Sequence, residues 1–168
     1  FSISGENVSV GHGFGDSSFN VFGDSVMDGN LSFTNGYIGI SQDTTTGPIR
    51  IGYQAGNTSQ GEYSLAMGSY AGYTNQEKYS LAMGYSAGTS GQGEYSVAIG
   101  NGAGETSQGA FSVAIGYLAG QSSLGVNSVA IGPNTVCTNN NSVALGSGAT
   151  TTSDNQIVLG TASETVLI

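Results

Sequence analysis

Acidic side chains and a lone histidine are the residues of this sequence whose types could carry out chemistry. Four aspartates and the histidine lie in the N-terminal third, at Asp16, Asp24, Asp28, Asp43 and His12. Hydrolysis of a glycosidic bond requires two carboxyl groups that face each other across a groove, and the remaining acids are spread singly along the chain. His12 has no second His or Cys at the spacing of metal ligands. The sequence therefore predicts no catalytic and no metal-binding residue, and we expect a protein that is not an enzyme.

Two motifs with specific chemistry are present only in part. The segment "GDSVMDGN" (23–30) is similar to a calcium loop in the placing of its two aspartates, but it lacks the bidentate Glu. The segment "IGYQAG" (51–56) matches one hexapeptide of the left-handed β-helix acyltransferases, which need three hexapeptides per coil and a catalytic His. This chain has one such hexapeptide in each 16 residues. We expect no cofactor.

The composition predicts a folded, all-β protein and excludes two kinds of partner. Of 168 residues, 29 are Gly, 38% are hydrophobic and only 8% are charged, and strand-forming residues prevail over helix-forming ones. The net charge is −9, with Arg50 and Lys78 as the only Arg or Lys, so the basic surface that nucleic acids require is missing. No apolar run approaches 18 residues, so we predict no direct membrane insertion. Cys137 is the single cysteine, and we expect a small, semi-buried residue there.

A short motif, typified by "SVAIG", repeats along the chain at a strict period. The glycines that close it are 16 residues apart up to Gly132 and 14 apart after it: Gly52, Gly68, Gly84, Gly100, Gly116, Gly132, Gly146 and Gly160. Such regular repetition predicts stacked coils, each with room for two short strands and two tight turns at which Gly is favoured. Stacked strands lie about 4.8 Å apart, so the seven steps from the first of these glycines to the last rise roughly 34 Å.

Alternation along each motif divides its side chains between two faces. We assign the large apolar residues to the interior of the roll, as the core of the repeat: Leu65, Met67, Leu81, Met83, Val97, Ile99, Val113, Ile115, Val129, Ile131, Val143 and Leu145. The other face carries small residues such as Ser64 and Ala66. Because small residues let a neighbouring backbone approach closely, we infer that the chain associates with itself around a common axis.

Two polar columns run between the motifs. Lys78 lies between Glu62 and Glu94 in one column, which favours in-register stacking slightly. A column of glutamines, Gln60, Gln76, Gln92 and Gln108, predicts a hydrogen-bonding ladder that stabilises the stack.

The aromatic residues also form columns. Tyr63, Tyr79, Tyr95 and Phe111 share the parity of the large apolar residues, so we predict a stacked ladder inside the roll. Five tyrosines near turns are the candidates for exposure and receptor contact: Tyr53, Tyr70, Tyr73, Tyr85 and Tyr117.

The segment "NSVAIGPNTVCTNNNSVALGSGATTTSDNQIVLG" (127–160) resembles the 14-residue head repeat of trimeric autotransporter adhesins, the YadA-like head. Similar repeats occur in fibre proteins of phages and large DNA viruses. The resemblance implies a left-handed parallel β-roll, a β-solenoid, assembled as an intertwined or side-by-side homotrimer. It also implies attachment to a cell-surface receptor or glycan, no catalysis, and an extracellular place on a virion or bacterial cell surface.

The repeats divide the chain into three parts. Residues 49–132 form the roll with 16-residue repeats, and residues 133–168 form the roll with 14-residue repeats and the C-terminal end. Residues 1–48 lack the motif and are either shorter, irregular coils or a β cap on the open end of the roll. Phe14, Phe19, Phe22 and Phe33 are then core residues of the cap, or an exposed aromatic binding patch.

The sequence leads us to predict a non-enzymatic, adhesive fibre module. The alternative is an ice-binding or purely structural β-solenoid, and a glycan-degrading fibre enzyme is a third hypothesis. The column Thr58, Thr74, Ser90, Thr106 and Ser122 supplies a row of hydroxyl groups, but an ice-binding face needs two parallel rows of Thr.

Overall fold

The computed structural model describes residues 47–163, which form a stack of parallel β-coils without a helix. Each of the twelve strands has three residues. In chain order they are β1 (Ile49–Ile51), β2 (Thr58–Gln60), β3 (Leu65–Met67), β4 (Thr74–Gln76), β5 (Leu81–Met83), β6 (Ser90–Gln92), β7 (Val97–Ile99), β8 (Thr106–Gln108), β9 (Val113–Ile115), β10 (Val129–Ile131), β11 (Val143–Leu145) and β12 (Ile157–Leu159). The structure confirms an all-β, parallel β-solenoid. The predicted cap lies outside the described residues, apart from Gly47 and Pro48.

The "SVAIG" motifs build the larger of two sheets. Its eight strands follow the order β1-β3-β5-β7-β9-β10-β11-β12, and every neighbouring pair is parallel. The register places like residues side by side, so that Val97 lies opposite Val113 and Ile99 opposite Ile115. Branched side chains pack well on such a pleated surface, which explains why the motif can repeat with little change.

A second sheet is present only in the 16-residue coils. It contains β2, β4, β6 and β8 and ends with a single bridge between Gln108 and Leu124. From there the coils continue as isolated pairings such as Val136 with Thr150. The last 16-residue coil, which ends at Gly132, has only one strand, β10, so the second sheet ends one coil before the period changes.

The interior of the roll is lined by small residues, and our assignment of the two faces was wrong. The alanines at the centre of the motif strands are fully buried, as are the serines that precede those strands: Ala66, Ala82, Ala98, Ala114, Ala130 and Ala144, and Ser64, Ser80, Ser96, Ser112, Ser128 and Ser142. The large residues assigned to the core lie on the outer face of the larger sheet, where they are only partly buried: Leu65, Met67, Leu81, Met83, Val97, Ile99, Val113, Ile115, Val129, Ile131, Val143 and Leu145. Fourteen to sixteen residues enclose too little space for two facing layers of large side chains.

Buried glutamine side chains form hydrogen bonds across the interior of the roll. Gln76 Nε2 donates to the carbonyl oxygens of Leu65 at 3.0 Å and Ser80 at 3.3 Å, and Gln92 and Gln108 repeat the pattern. The glutamines therefore act across the roll and do not form the predicted ladder. Each motif serine donates a hydrogen bond to a backbone carbonyl of the preceding turn, as in the 2.6 Å bond from Ser96 Oγ to the Gly93 carbonyl oxygen.

The corner glycines are required by both conformation and space. Gly100 has φ +127°, and a Cβ added there would lie 2.6 Å from the Gly116 carbonyl oxygen. An L side chain would therefore be strained and would also collide with the next coil. The other predicted turn glycines up to Gly146 have φ between +116° and +131°, and Gly160 has φ +71°.

Candidate interaction surfaces

The outer face of the larger sheet is a continuous apolar surface. Two large side chains from each strand of the larger sheet after β1 contribute to it, and at its C-terminal end Leu145 is 43% exposed and Ile157 71% exposed. A sheet face of this composition is normally covered, and exposed apolar patches of this extent mark interaction sites. We call this surface, formed by residues one and three of β3, β5, β7, β9, β10, β11 and β12, the apolar face.

A tyrosine cluster lies at one corner of the first coils. The Tyr70 ring contacts those of Tyr53, Tyr73 and Tyr85 at centroid distances of 5.6, 5.7 and 6.2 Å, each edge to face. Burial, followed by the nearby phenols, raises the pKa of Tyr70. Tyr53 and Tyr85 are the exposed members, at 64% and 56%. Four of the five tyrosines proposed for receptor contact are thus brought together, whereas Tyr117 is exposed elsewhere along the stack.

The second aromatic column is a ladder on the outside of the roll. Neighbouring rings of Tyr63, Tyr79, Tyr95 and Phe111 stack with centroids 4.8–5.2 Å apart and planes within 11°. The stacking was predicted, but the interior position is wrong because the rings are 45–57% exposed. These residues have φ near +55°, a conformation that Asn tolerates best. Asn127, Asn141 and Asn155 fill the same column in the last three coils.

Charge contributes little to these surfaces. Lys78 Nζ lies 3.0 Å from Glu62 Oε2, and this hydrogen-bonded pair raises the pKa of Lys78. Both side chains are half exposed, so the pair adds little stability. Within residues 47–163, no cluster of His, Cys, Asp or Glu could hold a metal ion. The same stretch contains no helix that could cross a membrane.

Some hydroxyl groups in the Thr and Ser column of the smaller sheet are already hydrogen-bonded to backbone carbonyls. Thr74 Oγ1 and Thr106 Oγ1 donate to the carbonyls of Thr89 and Gln121. Cys137 lies inside the roll, fully buried, with its Sγ 3.5 Å from the Ser142 carbonyl oxygen. The aspartates and the histidine of the N-terminal third are outside the described residues.

Comparison with protein families relates the coils of the roll to a known repeat. The family model of the YadA head domain repeat matches residues 77–103, 123–149 and 138–163. YadA head domain repeats are thus detected within residues 77–163. Searches of curated proteins and of solved structures found no match. The matched YadA head repeats include coils of both periods, so the 16-residue coils are variants of the same unit as the 14-residue ones.

The apolar face is what the sequence reasoning missed. Parity correctly separated Val97 and Ile99 from Ala98, but it did not show which set was inside. The glutamines carried the missing signal: Gln92 is fully buried and its side chain can meet a carbonyl only if it points into the roll.

Proposed function

We propose that this protein is a non-enzymatic adhesive module of a surface fibre, a homotrimeric rod that attaches a virion or a bacterial cell to a host cell or other surface. The YadA head repeats support an adhesin-like role, since the resemblance implies such assemblies. The apolar face carries the proposal, because a single chain leaves it uncovered along the stack from β3 to β12.

Self-association is the simplest cover for the apolar face. Its large side chains recur at every coil, about 4.8 Å apart, so only a partner with the same repeat matches it along its whole length. Identical chains around one axis supply that repeat. Burial of a Val, Leu or Ile side chain stabilises by about 1.5–3 kcal/mol, and each chain contributes two from each motif strand.

Sedimentation equilibrium tests the trimer. We expect a species near three times 16.8 kDa, and Ile99→Asp should dissociate it because the charge would be buried in the interface. Ser107→Asp is the matched control, since Ser107 is exposed on the smaller sheet. A monomeric wild-type chain would contradict the trimer.

We propose further that the tyrosine cluster contacts the receptor. Tyrosine combines an apolar ring with a polar tip, which suits both protein and glycan partners. Replacing Tyr53 and Tyr85 by Ser should weaken cell-surface binding about 30-fold if they act as an interface hot spot. Tyr117→Ser is the control variant, and equal losses in both proteins would argue against the cluster.

A further inference from the structure

A cleft of about 250 Å³ opens where the 16-residue coils give way to the 14-residue coils. It lies on the side of the smaller sheet and combines the last long coil with the first short one. Its walls are formed by Leu118, Gly120, Gln121, Ser122, Ser123, Asn134, Thr135, Val136 and Thr138.

The cleft arises because two neighbouring coils have different numbers of residues on this side of the roll. In the long coil, four residues separate Ala119 from Leu124, whereas only Val136 separates the equivalent positions Thr135 and Cys137. The hydrogen bonds fix this equivalence: Gly120 N donates to the Thr135 carbonyl, and Gly125 N to the Cys137 carbonyl. The long coil therefore bulges outward at 121–123 with no strand beneath it, and the cleft is the space below the bulge.

Four of the polar residues that line this space have side chains without a hydrogen-bond partner in the described part of the chain. Within the described residues, the side chains of Ser122, Ser123, Asn134 and Thr138 make no hydrogen bond. By contrast, Thr135 Oγ1 donates to the Gly132 carbonyl, and Gln121 Nε2 donates to Glu105 Oε2 at 2.7 Å. Three hydroxyls and an amide thus remain available to a ligand.

The remaining lining indicates the class of ligand. Leu118 and Val136 supply apolar surface beside the hydroxyls, and no charged residue lines the cleft. The chain carries a net charge of −9, so an anionic ligand would be repelled. The volume is below the 300–1,000 Å³ typical of drug-sized ligands and is suited to one ring.

We propose that the cleft binds a neutral saccharide unit. The free hydroxyls and the amide pair with sugar hydroxyls, and the apolar C–H face of the ring packs on Leu118 and Val136. This site goes beyond the proposed attachment role, because it requires neither the trimer nor the tyrosine cluster.

The test is a titration of the full, ¹⁵N-labelled chain with the methyl glycosides of glucose, galactose, mannose and N-acetylglucosamine, followed by NMR. We expect saturable shifts, for one or more of them, of the amides at 121–124 and 134–138. Ser122→Ala and Thr138→Val should each weaken the affinity about fivefold, the loss of one hydrogen bond between neutral groups. Ser90→Ala, at the same position of a coil without a cleft, should leave the affinity unchanged.

The proposal would be overturned by the absence of saturable shifts with all four sugars, by unchanged affinity in both cleft variants with folded spectra, or by tighter binding of the anionic sugar N-acetylneuraminic acid. Shifts confined to the tyrosine cluster would also overturn it, although they would support the receptor contact proposed above.

Discussion

Gln92 and Leu81 are joined across the interior of the roll by a 2.7 Å hydrogen bond, from the Gln92 side-chain Nε2 to the Leu81 carbonyl oxygen. Gln92 is fully buried, and its Oε1 has no partner within the described residues. The same interaction recurs in the coils above and below. Two coils further on, the equivalent position is occupied by Leu124, so the fold already contains an apolar substitute.

We predict that Gln92→Leu changes the free energy of unfolding by less than about 1 kcal/mol, because an apolar residue of similar size removes both the hydrogen bonds and the unpaired oxygen. Gln92→Ala should cost about 2–3 kcal/mol, since it leaves a cavity in the narrow interior. Denaturant unfolding of the two variants measures the difference. Equal destabilisation by both would show that the hydrogen bonds, and not the filled volume, stabilise the coil.

The corner glycine Gly100 should be far less tolerant of a side chain than Gly91. Gly100→Ala should destabilise by about 3 kcal/mol, because strain at φ +127° is combined with the close carbonyl of Gly116. Gly91 is the matched control: its φ is +70°, and the nearest atom to an added Cβ is 3.7 Å away. Gly91→Ala should cost only about 1 kcal/mol. Thermal unfolding of both proteins measures the contrast, and similar losses would contradict the steric argument.

A larger side chain should destabilise the fold at Ala98 but not at its strand neighbour Val97. Ala98→Val should destabilise by about 1–3 kcal/mol, because the interior beside Ala98 is closely packed. Val97→Ile, on the apolar face, should leave the stability of the single coil stack unchanged within about 0.5 kcal/mol. Denaturant unfolding at low protein concentration, where association is weak, separates the two effects. A larger cost for Val97→Ile would reverse the assignment of the faces.

Tyr70 should ionise at a higher pH than an ordinary tyrosine, because burial and the adjacent phenols raise its pKa. Its folded-state pKa exceeds the unfolded value of about 10, so its contribution to stability is complete below that pH. The contribution is lost as the pH rises through the folded-state pKa. Absorbance at alkaline pH follows the ionisation, and Tyr70→Phe should remove one tyrosine that ionises above the usual range. An unchanged titration curve above that range in Tyr70→Phe would contradict the assignment.

The spacing of the repeats predicted more of this structure than the alternation of large and small side chains did. Spacing alone predicted stacked coils with short strands and placed Lys78 in one column with Glu62, and the structure has β7 within the "SVAIG" motif and Lys78 beside Glu62. The alternation of Val97, Ala98 and Ile99 is symmetrical, however, and does not reveal which face is inside. That choice depends on the width of the coil, which leaves room only for a small side chain such as Ala98 at the centre of the motif strand. The cleft below Ser122 was equally hidden, because the two-residue change of period does not show which side of the coil was shortened.

Each coil of the roll is hydrogen-bonded only to the coils before and after it. A pulling force applied to the chain end of a terminal coil therefore breaks the hydrogen bonds between that coil and its one neighbour, and coils should detach one after another from that end. Each detached coil releases about 16 residues, or roughly 50 Å of extended chain. The roll would lengthen in steps and dissipate energy at each of them, so that a sudden load would be spread over many small events.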